Sequence, residues 1–264
     1  MSNTIKIVIA GYGPVGIAVE AALATHPHVE TFIDDPFLGH EYDPSIGDPV
    51  DGVVICVATP SASDGFCDCS NVDAVFEKYG FETRFLVKSA VDPIYIADFS
   101  PRGMTTISPE FLRGTTGADP TGEFLNQEFA IYGGGQMRWW HEIFKPCLPK
   151  LKNVRFLSAP QAAFAKYVEN AFLATKVSFF NQMQMIYTAM QFEDFDVMVE
   201  AITIDPRIGI SHTQVPGPDG KYGYGGHCFP KDVSAIAESG EACGADVSFL
   251  RNLQEFNALI RDED

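Results

Sequence analysis

The stretch TIKIVIAGYGPVGIAVEAALA, residues 4–24, constrains the fold of this chain more tightly than any other. An apolar strand over residues 6–10 runs into Gly11, Gly13 and Gly16, and an alanine- and valine-rich helix follows. This is G-x-G-x-x-G in the strand–turn–helix context that gives the motif its meaning. The first glycine permits a tight turn, the second lets backbone approach a pyrophosphate, and the third lets helix and strand pack closely. Free N–H groups at the helix start then face the phosphates. Gly11, Gly13, Pro14, Val15 and Gly16 are therefore expected to hold a dinucleotide. A second strand, VETFID, ends at Asp34, about 20 residues beyond the glycines, where an acid receives the ribose hydroxyls. An acid there favours NAD, because the 2′-phosphate of NADP is repelled, and no arginine follows it directly.

Further apolar runs cover residues 52–58, 84–90, 104–108, 129–133 and 154–159. Several are continuous Val, Ile, Leu and Phe stretches, as in strands covered on both faces, with helical segments placed between many of them. An α/β fold is expected, with a Rossmann-type doubly wound parallel sheet over residues 1–157. Ligands gather at strand C-terminal ends in such folds. Thr59 and Ser61 after the third strand and Ser89 after the fourth are therefore candidate donors. Without the glycine motif, those hydroxyls read as ordinary turn chemistry.

With 264 residues and 46% apolar composition, the chain can bury a core in one large domain or two moderate ones. Its formal charge of −17 argues against a nucleic-acid groove or an anionic membrane surface, since either needs clustered Lys and Arg. A small anionic ligand held by a few local donors remains compatible. Cys56, Cys67, Cys69, Cys147, Cys228 and Cys243 are too sparse and irregular for a disulfide framework. The Cys67-x-Cys69 pair has no matching second pair for a metal, so reduced thiols and no metal centre are expected. No apolar run approaches membrane-spanning length and no signal peptide precedes the first strand, which makes the cytoplasm the expected compartment.

From Ser158 the pattern becomes helical, and residues 158–264 are expected to form an all-helical domain. Ser158 and Gln161 stand at capping-box spacing, with Pro160 in the first turn. No further glycine or proline intervenes through Gln191, which implies one long helix. Lys166 and Asn170, four apart, project from one face of it. They are either a solvated pair or, in a helix running through a core or dimer interface, the lining of a cleft. A shorter helix over residues 192–202, a turn at residues 205–209 and a glycine-rich loop follow, and a last stretch of helix is expected from about Lys231. Cys228 stands just ahead of that helix and of Lys231, a setting that favours a nucleophilic thiolate.

Four segments, SPEFLRG (residues 108–114), KYVENAFLATKVSFFN (166–181), DPRIG (205–209) and GYGGHCFPKD (223–232), together resemble the UDP-glucose/GDP-mannose dehydrogenase family in order and approximate spacing. The resemblance spans essentially the whole chain. It implies a four-electron, NAD-dependent oxidation of a nucleotide sugar, UDP-glucose foremost, from primary alcohol to carboxylate. By similarity Cys228 is the nucleophile, passing through a thiohemiacetal and a thioester. Lys166 and Asn170 stabilise the oxyanion. Asp232 and Glu110 act as acid/base and water-positioning carboxylates, and Ser61 stands where the family has threonine. Phe111, Leu112, Tyr224 and Gly225 are expected at the substrate. Arg207 resembles the arginine that reaches the sugar nucleotide of a neighbouring subunit, which implies a homodimer through the long helix.

The sequence departs from the family in three places. Gly114 replaces a second glutamate, and the loop between Ile210 and Gly223 is longer. The chain ends at Asp264, short of the further Rossmann-like domain that completes the family's nucleotide-sugar site. Two alternatives follow. One is a non-catalytic NAD-binding or assembly subunit whose partner chain supplies that domain. The other is a two-domain 3-hydroxyacid-type dehydrogenase, which needs no nucleophilic cysteine.

Overall fold

The computed structural model describes residues 4–46, 49–99, 103–112 and 119–261. Its first part is built on β1 (Ile5–Ala10), β2 (Val29–Asp34), β3 (Gly52–Ile55), β4 (Arg84–Val87), β5 (Thr105–Ile107), β6 (Phe129–Gly134) and β7 (Asn153–Leu157), which form one sheet in the order β2-β1-β3-β4-β5-β6-β7. Helices α1 (Pro14–Leu23), α2 (Ser70–Tyr79), α3 (Pro93–Phe99), α4 (Pro120–Leu125) and α5 (Met137–Phe144) lie between the strands. The order reverses beside β1, and the crevice at the carboxyl ends of β1 and β3 is where such a sheet takes a ligand.

The apolar runs produce this arrangement because their side chains are covered on both faces. Ile7, Val8, Ile9, Val53, Val54, Ile55 and Leu86 are wholly buried, as central strands require. The sheet is mixed, however, and not fully parallel. β5 and β6 pair antiparallel, with Thr106 opposite Gly134 and Ile107 opposite Gly133, while the remaining pairs are parallel. A continuous apolar run reads the same in either direction, so composition carried no sign of the reversal. β3 and β4 are also shorter than their apolar runs. Residues 56–58 and 88–90 leave the sheet and become the loops that face the ligand crevice.

The chain separates into two compact units, residues 1–166 and 167–264. The long helix α6 (Ala159–Ala189) begins in the first unit. Its opening turns pack on β6: a Cβ placed at Gly133 would come within 2.6 Å of the Ala162 side chain. The capping box forms, with Ser158 N donating to Gln161 Oε1 at 3.0 Å and Gln161 N to Ser158 Oγ at 3.4 Å. The second unit contains the rest of α6, α7 (Phe195–Ile202), α8 (Cys228–Ala242) and α9 (Ser248–Ile260). Among its described residues the named elements are all helices. Among the described residues two apolar clusters hold it: Ala174, Tyr224, Val233 and Leu253 form one, and Phe180, Phe195, Val199 and Val215 the other.

Candidate active site

The glycine turn has the shape a dinucleotide needs. Gly11 has φ +90, and a Cβ there would meet the Cys56 carbonyl and Val57 nitrogen at 2.8 Å, so the segment just after β3 closes over it. Gly16 similarly lies against the Gly11 carbonyl. Gly13 has nothing within 4 Å of a built Cβ, which leaves open space over the N-terminus of α1. The N-cap is Gly13 itself, with no side-chain cap and Pro14 in the first turn. The first-turn N–H groups of Val15 and Gly16 therefore have no intrahelical acceptor and remain for an anion. This donor set fits a pyrophosphate.

Asp34 ends β2 as expected, but its carboxylate is buried and turned to its neighbours. Oδ1 accepts from Lys78 Nζ at 2.9 Å and from Tyr42 N at 3.3 Å, and Oδ2 accepts from Tyr79 Oη at 2.6 Å. Burial, then the hydrogen bond to Asp34, push the Tyr79 phenol upward. Thr59 Oγ1 donates to Ala90 O at 2.7 Å and Ser89 Oγ to Val57 O at 2.7 Å. These two hydroxyls tie together the loops after β3 and β4, leaving their lone pairs to accept. Ser61 is exposed and forms an isolated bridge with Cys67. Cys56 follows β3 instead of lying within it, and burial pushes its thiol up to about 12.

Two of the expected catalytic groups meet in the first unit. Lys166 Nζ lies 3.9 Å from Glu110 Oε1 and 5.3 Å from the ring centre of Phe111. Glu110 Oε2 accepts from Leu112 N at 2.5 Å, which fixes the carboxylate relative to its own loop. Phe111 packs on Phe129, and Leu112 packs against the main core. Gly114 lies outside the described residues. A lysine that the sequence reading passed over, Lys88, is buried nearby and donates to Ser108 Oγ at 3.1 Å.

The second unit brings together Asn170, Asp232 and Cys228. Helix α8 starts at Cys228, three residues earlier than the sequence suggested, with Pro230 accommodated in its first turn. Cys228 is exposed at the helix N-terminus, where N–H groups favour developing negative charge. Asp232 is four residues on, on the same face. It is 1% exposed and accepts from Asn170 Nδ2 and Lys231 Nζ, each at 2.5 Å. Lys231 is thus paired to Asp232. Among the described residues no cluster of His, Cys, Asp and Glu could hold a metal.

Other expected substrate residues are placed differently. Tyr224 is a core residue, and Asn257 grips its backbone twice: Tyr224 N donates to Oδ1 at 2.7 Å and Nδ2 donates to Tyr224 O at 3.0 Å. Gly223 N donates to Asn181 Oδ1 at 3.1 Å, and Gly225 leaves room for the Arg261 guanidinium. Asn181, Asn257 and Arg261 thus hold the glycine-rich loop from outside it. The signal in sequence was their spacing: Asn181 stands four residues from Val177 and Asn257 four from Leu253, so each amide shares a helix face with a core residue. Arg207 is exposed and paired with Asp205, Nε to Oδ1 at 3.0 Å, and this pair raises the guanidinium's affinity for its proton. It borders an apolar cavity of about 630 Å³ lined by Phe172, Phe179, Met183, Ile186 and Met190 of α6. No helix among the described residues is long and apolar enough to cross a membrane.

Comparison with known proteins identifies relatives for this arrangement. The UDP-glucose/GDP-mannose dehydrogenase family, central domain, matches residues 160–259. A UDP-glucose 6-dehydrogenase of Pseudomonas aeruginosa is 32% identical over 230 residues, covering 80% of this chain and 49% of the relative. A putative UDP-glucose 6-dehydrogenase of Bacillus subtilis is 28% identical, covering 96% of this chain and 67% of the relative. The chain therefore spans about half the length of the first relative. Among solved structures, a UDP-glucose dehydrogenase from Pyrobaculum islandicum superposes with TM-score 0.77 at 23% identity, over 98% of this chain and 69% of that one. The 3-hydroxyisobutyrate dehydrogenase of Mycobacterium tuberculosis reaches 0.69 at 17% identity, over 99% and 96%. At these identities the structural likeness is one of fold.

Proposed function

We propose, for a chain that belongs to the UDP-glucose/GDP-mannose dehydrogenase family through its central domain over residues 160–259, an NAD-dependent oxidation of a nucleotide sugar, UDP-glucose foremost, at its primary alcohol. A cofactor-binding domain over residues 1–157 and a helical domain over residues 158–264 divide the work. The reading rests on one observation above all: Asp232, buried and bonded to Asn170, stands one helical turn from an exposed Cys228 at the start of α8. A nucleophile, a carboxylate and an amide donor are thereby fixed on two packed helices.

NAD bound at the glycine turn would supply the hydride acceptor, a fresh molecule for each of the two oxidations. The residues of this chain do the rest. In the first oxidation the primary alcohol loses a hydride and a proton, and a carboxylate takes the proton. Cys228 Sγ then adds to the aldehyde carbon, and the oxyanion of the resulting thiohemiacetal is met by Asn170 and Lys166. Loss of a second hydride gives a thioester on Cys228. Water, oriented by Asp232 or Glu110, adds to the thioester carbonyl, and the sugar acid leaves as the thiol is restored. Two hydrides depart for each sugar oxidised.

In assembled form, we propose, the protein is a homodimer through α6. Phe172 and Phe179 remain 63% and 54% exposed on that helix, beside the apolar cavity that Arg207 borders. The mechanism is tested by mass spectrometry of the Asp232→Asn protein after turnover with NAD and UDP-glucose. A sugar-nucleotide mass on Cys228 is the expected result. No adduct, together with undiminished product formation, would remove Asp232 from thioester hydrolysis.

A further inference from the structure

Lys176 lies further along α6 than Lys166 and has no part in the proposed chemistry. Its Nζ donates to Ile208 O at 2.8 Å and to Gly209 O at 2.9 Å. The side chain is half-buried and borders the apolar cavity beside Phe172, Phe180 and Ile208. Burial lowers its pKa below that of an ordinary lysine. Among the described residues its partners are these two neutral carbonyls, so the cost of taking an ammonium out of water is met without an opposite charge. Packing alone favours an apolar side chain at this place.

What the ammonium holds is the turn over residues 205–209. Ile208 N and Gly209 N donate to Asp205 O at 2.9 and 3.0 Å, and Arg207 N donates to Asp205 Oδ1 at 3.0 Å. The turn leaves through Gly209, whose φ of +62 suits glycine. Asp205 thus fixes the N–H groups of the turn, and Lys176 fixes the two carbonyls that follow Arg207. The Arg207 side chain is what the turn presents outward, 88% exposed with its guanidinium on Asp205.

We infer that Lys176 is a positioning residue for Arg207: by holding the 205–209 turn from the α6 side, it fixes how Arg207 is presented to the diphosphate of a nucleotide sugar. Without the ammonium the Asp205 bonds remain, but the peptide planes after Arg207 can rotate about the flexible Gly209. Arg207 then has to be ordered when the substrate binds, and that ordering is subtracted from affinity. The groups around Cys228 are untouched, so the loss falls on substrate binding and not on the chemical steps.

The inference deepens the nucleotide-sugar reading and rests on it. Steady-state kinetics with NAD and UDP-glucose, together with thermal melts, are measured for wild type, Lys176→Met, Lys176→Arg, Arg207→Ala and the Lys176→Met/Arg207→Ala double variant. A charge-assisted contact to phosphate that loses its ordering is read as about tenfold in KM. Lys176→Met should raise the KM for UDP-glucose by about that factor, with kcat within about twofold and melting at or above wild type, since an uncompensated charge is removed. Lys176→Arg, which can also donate to two carbonyls, should recover most of the loss. In the Arg207→Ala background Lys176→Met should add little, because the two act on one contact. An unchanged KM in Lys176→Met, the same loss with or without Arg207, or a rise in KM that only follows a fall in melting temperature would overturn the inference alone. A wild-type chain that neither binds nor oxidises a nucleotide sugar would overturn the functional reading and the inference with it.

Discussion

Lys88 shows how one buried residue can couple stability to pH. Its ammonium lies 5.3 and 5.7 Å from the ring centres of Phe124 and Phe144 and donates to Ser108 Oγ. Burial lowers its pKa from 10.5 to about 8, with Cys56 and Glu110 pulling partly back upward. Between those values the unfolded chain holds a proton that the folded chain has released, so this residue's contribution to stability rises with pH across the window. Below about pH 8 the folded chain carries the full cost of a buried charge. At about 1.4 kcal/mol per unit, the wild type should gain up to about 3 kcal/mol on Lys88→Met as pH goes from 8 to 10.5. Denaturant titrations of both proteins at several pH values check this. A difference that stays flat across the window would mean that Lys88 titrates normally.

At the scale of elements, the glycine turn gives the sharpest case. Gly11 and Gly16 are packed against backbone, so a side chain at Gly11 would displace the segment after β3 and one at Gly16 would push α1 off the glycine turn. Gly13 faces open space, so Gly13→Val should melt within a few degrees of wild type while NAD binding falls at least about tenfold, as a side chain fills the phosphate approach. Equal losses of stability and affinity, read by calorimetry and thermal melting, would show that Gly13 is structural after all. The turn, β2 and α6 were legible because each carries its own signal: glycine spacing, an apolar run ending in acid, and a long stretch between a capping box and the next breaks. The start of α8 was set three residues too late because Pro230 reads as a break, yet proline fits a helix's first turn. The β5–β6 reversal and the clamps at Tyr224 were not legible, since both depend on which distant segments meet. Asp34 and Asp35 illustrate the same limit at the site: adjacent acids look interchangeable in sequence, and only their partners, Lys78 and Tyr79 for one and Tyr12 N for the other, tell them apart.

For the whole molecule, the apolar face of α6 and the chemistry of α8 make separate demands. If two copies pair through α6, sedimentation should show a dimer, and Phe179→Glu, which puts a charge on a ring 54% exposed in one copy, should shift it toward monomer. A monomeric wild type would remove α6 as the interface. The central claim concerns what the chain does with its thiol. A cysteine that retains an aldehyde between two hydride transfers commits each sugar to complete oxidation, whereas a 3-hydroxyacid-type dehydrogenase stops after one transfer. The direct measurement is the amount of NADH formed per molecule of substrate consumed, with the pure chain, NAD and a panel of UDP- and GDP-sugars and 3-hydroxyacids. The account gives two NADH per nucleotide sugar, with the sugar acid as product and loss of complete oxidation in Cys228→Ser. One NADH per 3-hydroxyacid, with nucleotide sugars untouched and Cys228→Ser fully active, would contradict it.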